Sequence, residues 1–223
     1  MLDAMSGPFP AVLVLCCLGA FLAGSLPFGL VLVKLAGKGD VRAHGSGNIG
    51  ATNVSRVGGK VLGIVTLLLD IAKGWLPVWL ARHGGLEWNA VALVACCAVL
   101  GHVFTPWLRF KGGKGVATAL GAALALDPLW VVPSIALFAV VLVATRYVSL
   151  GSVLGAALMP VVMALRAPLV PAVRPWYDLA LVGLLLWTAV FLVVIAKHHE
   201  NIRRLFKGTE SPLWGGRKEA QDA

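Results

Sequence analysis

Gly115-Val116-Ala117-Thr118-Ala119-Leu120-Gly121-Ala122-Ala123-Leu124-Ala125-Leu126-Asp127-Pro128 decides how this chain is threaded. Its first twelve residues carry no charge, Asp127-Pro128 is a turn signal, and a second uncharged block follows over 128–145. A membrane crossing takes about 20 residues, so the stretch is either a short span of its own or the start of one long helix. Lys and Arg arbitrate. Two helices give seven crossings with the amino terminus outside, and put 34–60, 106–114, 146–149 and 197–223 on the cytoplasmic face with 15 of the 19 basic residues. The opposite face keeps Arg82, Arg166 and Arg174. One long helix would instead send Arg146, Arg203, Arg204 and Lys207 outside, against the positive-inside tendency. The sequence therefore predicts an all-α polytopic membrane protein of seven transmembrane helices, amino terminus outside and carboxy terminus cytoplasmic.

Working outward, uncharged blocks at 10–33, 88–108, 128–145, 147–165 and 179–196 are each near spanning length. A sixth, 61–81, is apolar except for Asp70 and Lys73, one helical turn apart, which read as a self-neutralising pair or as a functional one. Of the 223 residues 59% are apolar and 13% charged, and mean hydropathy is +0.87. These values exclude a soluble enzyme, a disordered chain and a disulfide scaffold, and long apolar blocks argue against a β-barrel of alternating strands. Asp3 with no Lys or Arg ahead of the first block is the wrong charge order for a cleaved signal peptide. Cys16-Cys17 and Cys96-Cys97 lie in apolar runs and read as inert packing. Trp88, Trp130 and Trp176 suit an interfacial belt. With no internal repeat or long linker, 1–223 reads as one domain. The net charge of +9 sits in short loops between spans, which favours anionic lipid or a small anion over nucleic acid.

Three polar segments fall on the face assigned to the cytoplasm. In the first, Gly45-Ser46-Gly47-Asn48-Ile49-Gly50-Ala51-Thr52-Asn53 precedes Arg56: small residues let amides converge as in anion nests, while Ser46, Asn48, Thr52 and Asn53 offer hydrogen bonds and Arg56 a forked cation. The second is Gly101-His102-Val103-Phe104, then Phe110-Lys111-Gly112-Gly113-Lys114-Gly115-Val116-Ala117-Thr118, where glycines and a lysine before a helix suit a phosphate. It is not a Walker A loop, because position 108 is Leu. In the third, Lys197-His198-His199-Glu200-Asn201-Ile202-Arg203-Arg204-Leu205-Phe206-Lys207-Gly208-Thr209-Glu210, a continuing helix puts His198, Asn201 and Ile202 on one face. Adjacent histidines with no third ligand argue against zinc. His44 and His83 read as solvated, and His102 as structural or functional alike. Each segment also has a plain reading, as glycine loop, positive-inside hairpin or lipid-binding basic helix. No nucleophile elbow, loop cysteine or His followed five residues on by Asp is present, so a covalent acyl-enzyme and thioester-using acyltransferases are not expected.

In order and spacing, GSGNIGATNVSR, GHVF with FKGGKGVAT, and KHHENIRRLFKGTE resemble the three signature motifs of the acyl-phosphate-dependent glycerol-3-phosphate acyltransferases, the PlsY family of bacterial inner-membrane enzymes. One departure is Thr105 before Pro106, where the family usually has proline directly after the phenylalanine. The resemblance implies seven helices, motifs at the cytoplasmic surface, and transfer of a fatty acyl group from acyl phosphate to the 1-hydroxyl of glycerol 3-phosphate, giving lysophosphatidate and phosphate. It carries over Ser46, Arg56, Lys114, His198 and Asn201, with Ser149 a further match that also reads as a helix cap. Catalytic roles are expected of His198, Lys114, Ser46 and Asn201, and substrate binding of Gly45, Gly47, Asn48, Thr52, Asn53, Arg56, Gly112, Gly113, Gly115, Ser149 and Lys197, with no metal or organic cofactor.

Such chemistry asks for no nucleophile from the protein, because an acyl phosphate already carries a good leaving group; it asks for two phosphates held together and a hydroxyl aimed. Arg56, Lys114 and Lys197 are expected to offset the repulsion, Lys114 with the first loop on one phosphate and Arg56 with Asn201 on the other, in either order. His198 is the candidate general base or hydroxyl orienter, and a substrate phosphate oxygen is the alternative base. The competing function is a transporter of an organic phosphate or other anion, disfavoured because polar groups gather at one end of the spans. A noncatalytic anchor that binds anionic lipid is the third reading.

Overall fold

The computed structural model describes residues 9–166 and 180–214, all helices and connecting turns. In order these are α1 (Phe9–Ser25), α2 (Phe28–Leu35), α3 (Ala51–Gly58), α4 (Lys60–His83), α5 (Trp88–Val103), α6 (Val116–Leu126), α7 (Pro128–Thr145), α8 (Val148–Arg166), α9 (Ala180–Lys197) and α10 (His199–Phe206). Five are long and apolar enough to cross a membrane, counting α1 with α2 as one, and α9 with α10 makes a sixth if that bent pair is one span.

Local chemistry sets the boundaries. Asp127 ends α6 and caps α7, its carboxylate accepting from Leu129 N at 2.9 Å with Pro128 in the first turn. The two helices expected from 115–145 are thus separate, but α6 has only eleven residues, about 17 Å by helical rise. The block expected at 10–33 is interrupted at Leu26-Pro27, since proline lacks the N–H that a continuous helix needs. The helix expected to continue through 197–202 also breaks: α9 and α10 meet at 56° about His198.

α5 is the central helix; Val94, Val99 and Val103 are fully buried. Where α4 crosses α6 the approach is so close that a Cβ on Gly74 or Gly121 would overlap the Thr118 or Ile71 carbonyl of the facing helix. Small residues are the usual means of association between helices in lipid, where apolar burial gives no extra drive. Large apolar side chains such as Leu15, Leu68 and Val143 point outward, as lipid-facing residues do. Trp88 and Trp130 pack edge to face at 5.3 Å, and Trp130 is buried, so it serves the core and not the expected belt. Trp176, Arg174 and the rest of the connector after α8 lie outside the described residues, as does Asp3. The four cysteines are free.

Candidate active site

The first polar loop is built around one amide. Asn53 is buried; its Nδ2 donates to the carbonyls of Val41, His44 and Asn48 at 3.0, 3.1 and 2.8 Å, and its Oδ1 accepts from Ser46 N at 2.9 Å. Those bonds consume the side chain, so Asn53 shapes the loop and has little left for the substrate contact expected of it. A small apolar cluster of Leu30, Val33, Val41, Ile49 and Val54 supports the loop from beneath. Gly45 and Gly47, at φ 61° and 68°, turn the chain and lie outside the cavity wall. Asn48 is also used locally, accepting from Gly50 N at 2.8 Å.

This loop covers a cavity of about 390 Å³. Its polar end is walled by Ser46, Thr52, Arg56, Lys114, Ser149, His198, Asn201 and Glu210, contributed by all three sequence segments and the first turn of α8. Two helix amino termini open onto it: Ala51 and Thr52 of α3, and Val116 and Ala117 of α6, lie in the wall. N–H groups at a helix start have no acceptor in their own helix and carry the positive end of its dipole, so both favour an anion here.

Side chains at this end form one connected network. Lys114 Nζ donates to Asn201 Oδ1, and Asn201 Nδ2 donates to Glu210 Oε1 at 2.6 Å. Ser149 Oγ donates to the same oxygen at 2.7 Å, and Arg204 Nε to Glu210 Oε2 at 2.7 Å. Burial alone would raise the Glu210 carboxyl, but these three donors bring it below its ordinary value. Burial pushes Lys114 down to about 8, with Glu210 opposing the shift. His198 falls to about 4, through burial first and the Lys114 charge second. Its Nδ1 lies 2.7 Å from Val194 O, and a carbonyl only accepts, so Nδ1 carries the proton and Nε2 has the lone pair. Arg56 reaches across to Ser211 O at 3.0 Å.

Beyond this mouth the wall turns apolar, with Leu120, Ala123, Val131, Phe138, Met159 and Trp187. Along α8 the lining runs from Ser149 to Met159, ten residues or about 15 Å by helical rise. That is half the roughly 30 Å hydrocarbon thickness of a bilayer.

Among the expected site residues, Ser46, Asn48, Thr52, Asn53, Arg56, Lys114, Gly115, Ser149, His198 and Asn201 share the cavity wall. Gly112 and Gly113 lie behind it, and Lys197 points elsewhere, its Nζ 5.0 Å over the Phe104 ring. The expected grouping of Asn201 with Arg56 gives way to Asn201 with Lys114. Glu210, the hub of the network, was absent from the sequence-based site; the one signal was an acid closing a segment rich in cations. Asp70 and His102 also reach the wall, while His44 and His83 are exposed.

Helices, cavity and cations together define a polytopic membrane protein whose cavity joins a cationic mouth to an apolar bore. The chain belongs to the glycerol-3-phosphate acyltransferase family, whose model matches residues 14–208. It is 51% identical over 194 residues to the glycerol-3-phosphate acyltransferase of Geobacter sulfurreducens, covering 86% of this chain and 93% of that one. The Bordetella pertussis enzyme of the same name is 45% identical over 196 residues, with 87% and 88% covered. Among solved structures, PlsY, an integral membrane glycerol 3-phosphate acyltransferase, superposes in its glycerol 3-phosphate form with a TM-score of 0.79 at 34% identity, covering 92% of this chain and 96% of the other. Its lysophosphatidic acid form gives 0.76 at 33% identity, covering 90% and 95%.

Proposed function

We propose that this chain transfers a fatty acyl group from acyl phosphate to the 1-hydroxyl of glycerol 3-phosphate, releasing lysophosphatidate and phosphate, as an early acylation in phospholipid synthesis. The observation that carries the reading is a single cavity with a cationic mouth and an apolar bore one leaflet deep. An amphiphile with a phosphate head and a fatty tail fits that division, and a second phosphate compound can enter the mouth from water.

Lys114, Arg56 and the two helix starts hold the phosphates; each brings about −1.5 to −2 charge at neutral pH, and desolvated cations are the counterweight. Asn201 and Glu210 fix the Lys114 ammonium, and Ser46 and Thr52 supply neutral hydrogen bonds at the rim. The hydroxyl of glycerol 3-phosphate donates to His198 Nε2 and is aimed at the acyl carbonyl. Attack forms the ester and expels phosphate. An imidazole near 4 is a weaker base than a phosphate oxygen, whose second pKa is about 6. On this reading a substrate phosphate oxygen takes the proton, and His198 orients the hydroxyl. No metal or organic cofactor enters the scheme.

The same reading treats 1–223 as one domain in the bacterial inner membrane, with seven crossings and the mouth facing the cytoplasm. Support comes from the break at Asp127 and from the basic residues gathered around the mouth. Purified protein in detergent, given acyl phosphate and labelled glycerol 3-phosphate, is expected to release phosphate without any sealed compartment; activity only in sealed vesicles would mark a transporter instead.

A further inference from the structure

Three ionisable side chains lie buried behind the mouth, and the scheme above leaves them without work. Asp70, Lys73 and His102 are 2%, 6% and 4% exposed. Lys73 Nζ pairs with Asp70 Oδ1 at 2.7 Å and also donates to Leu26 O at 2.7 Å, tying α4 to the break between α1 and α2. Across the gap, His102 Nδ1 faces the same Asp70 oxygen at 3.9 Å and has no hydrogen-bond partner among the described residues. A self-contained ion pair would need only Asp70 and Lys73. Here a third group faces the carboxylate, too far for a hydrogen bond but within range of its charge, and both Asp70 and His102 reach the cavity wall while Lys73 does not.

The imidazole supports the phosphate loop. Gly113 N donates to His102 O and Gly112 N to Val103 O, both at 3.1 Å, so the glycines lie along the end of α5. A Cβ on Gly113 would lie 2.0 Å from His102 Nε2, so the ring tip occupies the space that a side chain there would need. Lys114 is the next residue.

We propose that His102, steered by Asp70, is a positioning residue: its ring is the shelf on which Gly113 rests, and its height sets where Lys114 meets phosphate. The inference rests on Lys114 being the phosphate clamp. Displacing a binding group by about 1 Å from outside the site costs up to 10²-fold in rate.

The test is a cycle of variants in detergent, reading KM for glycerol 3-phosphate, kcat and the melting temperature. His102→Ala is expected to raise KM about tenfold while kcat stays within about twofold, a split between KM and kcat that a merely structural role would not give. Asp70→Asn should move KM the same way. Gly113→Ala should also raise KM, and adding His102→Ala should bring it back toward the His102→Ala value, because the removed ring makes room for the new methyl. A KM within twofold of wild type in His102→Ala, or multiplying losses in the double variant, would overturn the inference. If His102→Ala or Asp70→Asn does not fold, His102→Asn, which keeps a nitrogen toward Asp70 but lacks the ring tip, is read against the same KM criterion. Lys114→Ala run alongside separates the two readings: normal turnover there removes the clamp itself, whereas an inactive Lys114→Ala with an unresponsive His102 removes only the shelf.

Discussion

Lys114 is an ammonium drawn out of water and left with an amide oxygen for company, so an arriving phosphate offers it more than a solvated lysine would gain. Lys114→Ala is expected to cut turnover by about 10² or more while the protein still folds, checked by phosphate release and by melting temperature. Because burial brings its pKa to about 8, the charged form is present at neutral pH and is lost as pH rises through that value. KM for glycerol 3-phosphate should therefore climb above pH 8 in the wild type. For His198→Gln the expectation is a higher KM with the acidic limb of the rate profile unmoved; loss of that limb would restore the base role. Lys114, His198 and Asn201 were legible because the sequence offers few polar groups beside spans. Glu210 was not, since an acid among cations reads as a solvated partner. The loop-building role of Asn53 was hidden for a related reason: spacing says where an amide sits in the chain, not which carbonyls it bonds.

At the scale of elements, periodic apolarity identified the long helices and Asp127-Pro128 the break between α6 and α7. The bend at His198 was hidden, because nothing in Ala196-Lys197-His198-His199 forbids a continuous helix; tertiary contacts from α10 to Glu210 and Lys114 decide it. The interruption at Pro27 was written in the sequence but masked by the apolar run around it. Gly121 carries the tightest part of the α4–α6 crossing, and α6 delivers Lys114. Gly121→Leu is thus expected to lower stability by about 1–3 kcal/mol or more and to reduce transfer, measured by thermal unfolding in detergent and by activity. Ala123, deep in the bore, is a gentler probe. Ala123→Phe should shift preference toward shorter acyl phosphates, read by competing donors of graded length, while leaving KM for glycerol 3-phosphate unchanged.

Over the whole molecule, composition alone announced a helical membrane protein, and the order of three motifs announced the family. What neither supplied was the depth of the bore, which depends on how α6, α7, α8 and α9 diverge below the mouth, and hence on packing among residues far apart in sequence. The threading rests on the distribution of charge. With the native cysteines replaced, Arg82→Cys and Lys207→Cys should react with an impermeant thiol reagent from opposite sides of sealed vesicles. The most direct measurement is donor choice in purified protein. With labelled glycerol 3-phosphate in detergent, acyl phosphate is expected to yield lysophosphatidate and one phosphate per turnover, and acyl thioester none. Equal turnover with the thioester, or acylation that persists in Lys114→Ala, would contradict the account.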